Sequence, residues 1–249
     1  MKTTKWLAVA CMAAAVSGCA SQGQTQGNPD DPWESYNRKV FAFNDTLDRY
    51  ALKPVAQGYD YVTPDPVQTG VGNFFSNLGE VGTTINSVLQ WKWANAGIAS
   101  GRFVINSILG VGGILDPASR MGLVEREEDF GQTLATWGVA EGPYVVLPVL
   151  GGRTLRHTSG LPVDWYTDPV TYVEEDEVRY GLRFIDLIDT RAGLLDREEL
   201  IRGDRYSFIR DAYLQNRRYE VNDGETGADP FADGDFGDDF EYDEDAFAE

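Results

Sequence analysis

The chain has 249 residues, with 40 Asp and Glu against 21 Lys and Arg, a formal net charge of −19, one His and two Cys. Nucleic acid is excluded as a partner, as is capture of anionic headgroups by a polybasic patch, because neutralising phosphates needs a cationic surface. A lone His157 supplies neither an imidazole metal set nor a Cys–His pair, and it reads as a surface side chain.

The first five residues carry two Lys and no acid, residues 6–16 are an eleven-residue apolar run, and Ser17-Gly18-Cys19 follows. That order marks residues 1–18 as a signal peptide, too short in its apolar part to span a bilayer. Val16-Ser17-Gly18-Cys19 also matches the bacterial lipobox, so Cys19 is the expected site of lipidation and the first residue of the mature protein. Its covalent lipid is the only non-protein group expected; no cofactor, metal site or catalytic residue is read from the sequence. Ala20, where inner-membrane lipoproteins of this kind usually carry Asp, points to the periplasmic leaflet of the outer membrane. Cleavage removes Cys11, so no disulfide forms and the fold must rest on its hydrophobic core.

Residues 19–30 are a Gly/Gln/Ser-rich tether, and residues 31–221 read as one mainly α domain with little strand signal. Asp31 as cap, Pro32 and Glu34 punctuate the start of a first helix. Its stripe of Trp33, Tyr36, Val40, Phe43, Leu47 and Tyr50 is expected to face the core, ending before Pro54. Asp65-Pro66 opens the next helical stretch, with Val67, Val71, Phe74, Phe75 and Leu78 as one stripe and Val81, Ile85, Val88 and Leu89 as another. The following Trp91-Lys92-Trp93 suits either a membrane interface or a core.

Residues 101–116 are the organising stretch. On a helix, Val104, Ile108, Val111 and Leu115 form a wide apolar face, and Arg102, Asn106, Gly110 and Gly113, with Ala99 a turn earlier, form a small polar one. A buried helix packed through its glycines and a helix lying in a membrane or lining a lipid path both fit this pattern. The thirteen residues from Phe103 to Leu115 fall short of the roughly 20 a span needs.

Further on, Gly138 and Gly142 interrupt the pattern as candidate hinges, and residues 143–150 are an apolar extended segment or edge strand. Val178, Leu182, Ile185, Ala192 and Leu195 make a late stripe, and Asp196-Arg197-Glu198-Glu199 reads as the cap of a last helix carrying Tyr206, Ile209 and Tyr213. The acidic runs at 127–129 and 174–177 read as solvated helix ends. Residues 222–249 hold twelve acids and no Lys or Arg, leaving −7 for everything before them, and read as a disordered acidic tail. No G-x-S-x-G, P-loop or H-E-x-x-H occurs.

Several segments in order carry a resemblance: Asn37-Arg38, Phe43-Asn44, Lys53-Pro54-Val55-Ala56, Arg102-Phe103 with Asn106, and Gly110-Val111-Gly112-Gly113 with Asp116. Phe130-Gly131-Gln132-Thr133-Leu134, Trp137-Gly138-Val139, Gly142-Pro143-Tyr144, Leu147-Pro148 and Thr190-Arg191-Ala192 continue it. Behind a lipobox, this set resembles the MlaA (VacJ) outer-membrane lipoproteins over nearly all of the mature chain except the tail. The resemblance implies a ring-like helical domain lying in the membrane leaflet, bound to a trimeric porin. It also implies an amphipathic channel that passes outer-leaflet phospholipid to a soluble periplasmic carrier of the Mla type. On that reading, Val104, Ile108, Val111 and Leu115 face acyl chains. Arg102, Asn106, Gly110 and Gly113 line the channel or pack, and the 138–142 turn gates it. A porin-scaffolding lipoprotein and a carboxylate-dependent periplasmic hydrolase are the alternatives.

Overall fold

The computed structural model describes residues 28–224. The signal peptide, Cys19, the tether up to residue 27 and the tail from residue 225 lie outside the described residues. Nine α-helices and one small hairpin make up the described fold. Helix α1 (Glu34–Leu47) runs through a π turn (Asp48–Leu52) directly into α2 (Lys53–Val62). Pro54 therefore does not end the helix. It sits in the first turn of α2, after a wider turn has relieved the clash its ring makes with the preceding turn.

Asp31 is not the helix cap expected of it. The first helix starts three residues later, and the Asp31 carboxylate turns inward to accept from Asn37 Nδ2 at 2.7 Å, from the Tyr206 hydroxyl and from Arg210. The α1 stripe is also reversed. Trp33, Tyr36, Phe43, Leu47 and Tyr50 are exposed, and only Val40 of the set packs on the core. The fully buried residue is Asn37, which donates to the Tyr144 carbonyl (3.0 Å) and accepts from the Val146 N–H (2.8 Å).

Helix α3 (Asp65–Leu89) is a single rod of 25 residues carrying both expected stripes, yet what it buries is Gly70, Asn77, Glu80, Thr83, Asn86 and Ser87. Helix α4 (Trp93–Ile108) returns antiparallel beside it, tied by Asn95 to Ser87 at one end and Asn77 to Ser107 at the other. The helix expected to reach residue 116 stops at Ile108, because Val111, Gly112 and Gly113 take positive φ (56°, 72° and 94°) and turn the chain back. A short α5 (Pro117–Arg120) follows, capped by Asp116.

After a loop come α6 (Phe130–Thr136) and strands β1 (Tyr144–Leu147) and β2 (Gly151–Thr154), paired antiparallel with Tyr144 opposite Thr154. Helix α7 (Leu155–Thr167), a 3-10 turn (Pro169–Tyr172) and α8 (Asp176–Ala192) lead to α9 (Arg205–Val221). The expected cap of α9 is misplaced. Residues Asp196–Leu200 form their own 3-10 turn, and Asp204 caps α9 through the Ser207 N–H. Among the described residues, Tyr144, Val146, Tyr206 and Leu214 form an apolar cluster of the interior.

The expectation of a conventional hydrophobic core is therefore corrected. Among the described residues twelve buried residues are hydrophobic, five of them Ala, and nineteen are polar or charged. Large hydrophobic side chains stand exposed instead, including Trp91, Trp93, Ile108, Leu109 and Val111. A chain folding in water alone does the reverse.

Candidate functional site

The polar side of the fold borders an open cavity of about 510 Å³. One wall is α3 from Gly72 to Asn86; the others are the 125–129 loop with Gln132, the end of α7, α8 from Arg183 to Thr190, and Glu220 of α9. Helical periodicity builds the α3 wall: Glu80, Thr83 and Asn86 recur every third residue and so share one side of the rod.

Ten carboxylates and a single cation, Arg183, line the cavity. The cations that offset them stand mostly behind the wall. Arg102, 1 % exposed, bonds Glu80 through Nε and reaches Glu125 at 3.2 Å through Nη2; its Nη1 donates to the Ser119 hydroxyl and the Leu123 carbonyl, both at 2.8 Å. Lys92 meets Glu128 at 2.8 Å, Arg217 meets Asp129 at 2.7 Å, and Arg183 meets Asp168 at 3.1 Å. Glu127, Asp164 and Asp186 have no cationic partner among the described residues.

The titration of these groups records the crowding. Burial pushes Glu80 up to about 7 against the opposing pull of Arg102. Burial likewise lifts Asp164 to about 6, with Asp129 adding repulsion. Glu127 rises through burial and then Glu125, Glu220 and Asp129, and Asp186 through burial and then Asp168 and Asp189. Asp129 goes the other way: burial would raise it, but the hydrogen bonds and charge of Arg217 win and hold it below the usual range. The acidic run at 127–129 does lie at a helix end, with Asp129 capping α6 through the Gln132 N–H and Glu127 exposed, but Glu128 is buried and all three border the cavity. The run at 174–177 is exposed at the start of α8.

The expected small polar face is assembled, but around the turn rather than along one helix. Asn106 donates to Asp116 at 3.0 Å and accepts from the Ala118 N–H at 3.0 Å. Gly110 and Gly113 are buried; a Cβ on Gly110 would overlap the Leu115 carbonyl, and one on Gly113 would stand 2.7 Å from Asn77 Nδ2. None of Arg102, Asn106, Gly110 and Gly113 lines the cavity, and Arg102 reaches it only through Glu80 and Glu125. Val104, Ile108, Val111 and Leu115 are 51 %, 72 %, 67 % and 55 % exposed on the outside. Gly138 and Gly142 take positive φ (86° and 69°) in the segment between α6 and β1, away from the cavity lining.

His157 is not a free surface side chain. Its Nδ1 lies 2.9 Å from the Tyr213 hydroxyl and its Nε2 2.6 Å from Arg153, and burial lowers its titration to about 4. The wall residues Asp164 and Asp186 were not legible as site residues, since only the packing of α7 and α8 brings them opposite α3. The repeat of Glu80, Thr83 and Asn86 was a readable signal, masked by the louder apolar stripes around it.

The family model for MlaA lipoprotein matches residues 29–220. The chain belongs to the MlaA lipoprotein family. It is 34% identical over 240 residues to the Haemophilus influenzae intermembrane phospholipid transport system lipoprotein MlaA, covering 90% of this chain and 93% of that one. With the Escherichia coli K12 protein of the same name it shares 37% identity, over 84% of this chain and 85% of that one. A solved structure described as the structural basis for maintenance of bacterial outer membrane lipid asymmetry superposes with a TM-score of 0.69 at 36% identity, covering 77% of this chain and 99% of that chain. MlaA proteins are transport lipoproteins and not enzymes. The polar-lined cavity of this member needs no reacting residues in that setting.

Proposed function

We propose that this chain carries phospholipids from the outer leaflet of the outer membrane through the acidic cavity to a soluble periplasmic carrier, and so maintains lipid asymmetry without catalysing a reaction. The observation that carries the reading is the inversion of the fold, with exposed apolar side chains outside and a polar cavity inside. Such a body is stable where its exterior meets acyl chains and its interior meets water and headgroups. Among the described residues no helix is long and apolar enough to cross a membrane. On this reading the domain lies within the periplasmic leaflet, anchored by lipid on Cys19 and seated against a trimeric porin. Acyl chains slide along the apolar exterior while the headgroup moves through the cavity.

The channel expectation attached to residues 101–116 moves accordingly. The apolar side of α4 and its turn is the membrane-facing surface, and the small polar side braces Glu80 and Glu125 in the channel wall. Gly110→Leu is no test of passage, since it breaks the turn. Gly79 serves better: it lines the cavity, and a Cβ there meets nothing within 4 Å. Gly79→Trp keeps the protein folded and membrane-bound but leaves phospholipid in the outer leaflet of cells that depend on it. Gly97→Trp, equally unobstructed but on the outside of α4, transports normally. Normal asymmetry with Gly79→Trp would remove the cavity from the path and favour a porin scaffold.

A further inference from the structure

The cavity is charged well beyond what solubility needs. Ten carboxylates line it, and the four cations that touch them, Arg102, Lys92, Arg217 and Arg183, leave six formal negative charges in excess. Glu80 adds a sharper observation. The residue is 2 % exposed, lines the cavity, and takes Arg102 Nε on one carboxylate oxygen. Burial leaves its charge poorly solvated despite Arg102, so a cationic ligand that brings a donor is favoured there. Glu127 and Asp186, further along the wall, have no cationic partner among the described residues. Among the described residues no three of these groups gather closely enough to hold a metal ion.

We propose that the passage selects lipids by headgroup charge: it admits a headgroup carrying a primary ammonium, as in phosphatidylethanolamine, and holds back a net-anionic one such as phosphatidylglycerol. This inference rests on the transport reading above. The two lipids share a phosphate, so its interaction with Arg183 or the wall hydroxyls cancels between them. What differs is an ammonium with three donors against an uncharged glycerol. Apolar helices around the acidic wall focus its field into the cavity, where the ammonium is attracted and the uncompensated phosphate of the anionic lipid is repelled. Glu80, Glu127 and Asp186 form successive stations for the ammonium.

Full-length lipidated protein equilibrated with equimolar phosphatidylethanolamine and phosphatidylglycerol of identical acyl chains, at low salt, tests the proposal by native mass spectrometry of the retained lipid. The expected ratio favours phosphatidylethanolamine by about tenfold and shrinks as salt screens the wall. Glu127→Gln with Asp186→Asn brings the ratio toward one, whereas Glu174→Gln with Glu177→Gln, which removes two charges outside the cavity, leaves it unchanged. Equal retention, or an excess of phosphatidylglycerol, by the unaltered protein overturns charge selection while leaving transport intact. Phosphatidylglycerol retained only until a chelator is added would mean that the carboxylates hold a divalent cation, which also overturns it. Retention of neither lipid would sink the transport reading and this inference together.

Discussion

Arg102 links the helix with the exposed apolar side, α4, to the cavity wall. Its guanidinium is shared among Glu80, Asp116 and Glu125, with Ser119 and the Leu123 carbonyl filling the remaining donors. Arg102→Ala strands the buried Glu80 carboxylate and is expected to cost about 3–5 kcal/mol in chemical denaturation, with Arg102→Lys intermediate because an ammonium cannot fork. A loss under about 1 kcal/mol would mean that the network is incidental. His157 gives a second test at this scale. Its folded value of about 4 lies below the ordinary 6.5, so its share of stability is fully present above pH 6.5 and drains away as pH falls through 4. NMR of this single imidazole should show it neutral down to nearly pH 4, and His157→Gln should flatten part of the acid-side fall in thermal midpoint. A titration near 6.5 would contradict the buried placement. The sequence made Arg102 and Asn106 visible as a face, but it misread His157, because Tyr213 reaches it only through packing of α9 on α7, while Arg153 is a neighbour four residues away.

At the scale of elements, periodicity located α1 and α3, but it set the next helix at 101–116 where α4 runs from 93 to 108, and it left open which side faces inward. Apolar stripes were assigned to the core on α1 by the ordinary rule for water, and the fold obeys the opposite one because its buried side chains pair with one another. Boundaries failed where backbone detail decides. The π turn carries the chain past Pro54, and the left-handed run at 111–113 stops α4 early. That turn yields a graded prediction. Gly112→Ala meets no neighbour and carries only the backbone strain of φ 72°, whereas Gly113→Ala adds a collision with Asn77 to φ 94°. The first should cost about 1 kcal/mol and the second clearly more. Equal losses in a denaturation series would show that the Asn77 contact yields freely.

On the scale of the whole molecule, the inversion of polarity and the open acidic cavity carry the transport reading. Trp91 and Trp93, 75 % and 59 % exposed and in edge contact at 5.6 Å, belong on that view at the bilayer interface. Brominated lipids should therefore quench the protein strongly, and less so after Trp91→Phe with Trp93→Phe. The most direct measurement places a photo-reactive side chain at residue 79, on the cavity wall, and another at residue 108, on the outer surface, in full-length protein in membranes. The account predicts phospholipid adducts at both positions. Adducts at residue 108 with none at residue 79 would contradict it, leaving a protein that rests in lipid but does not conduct it.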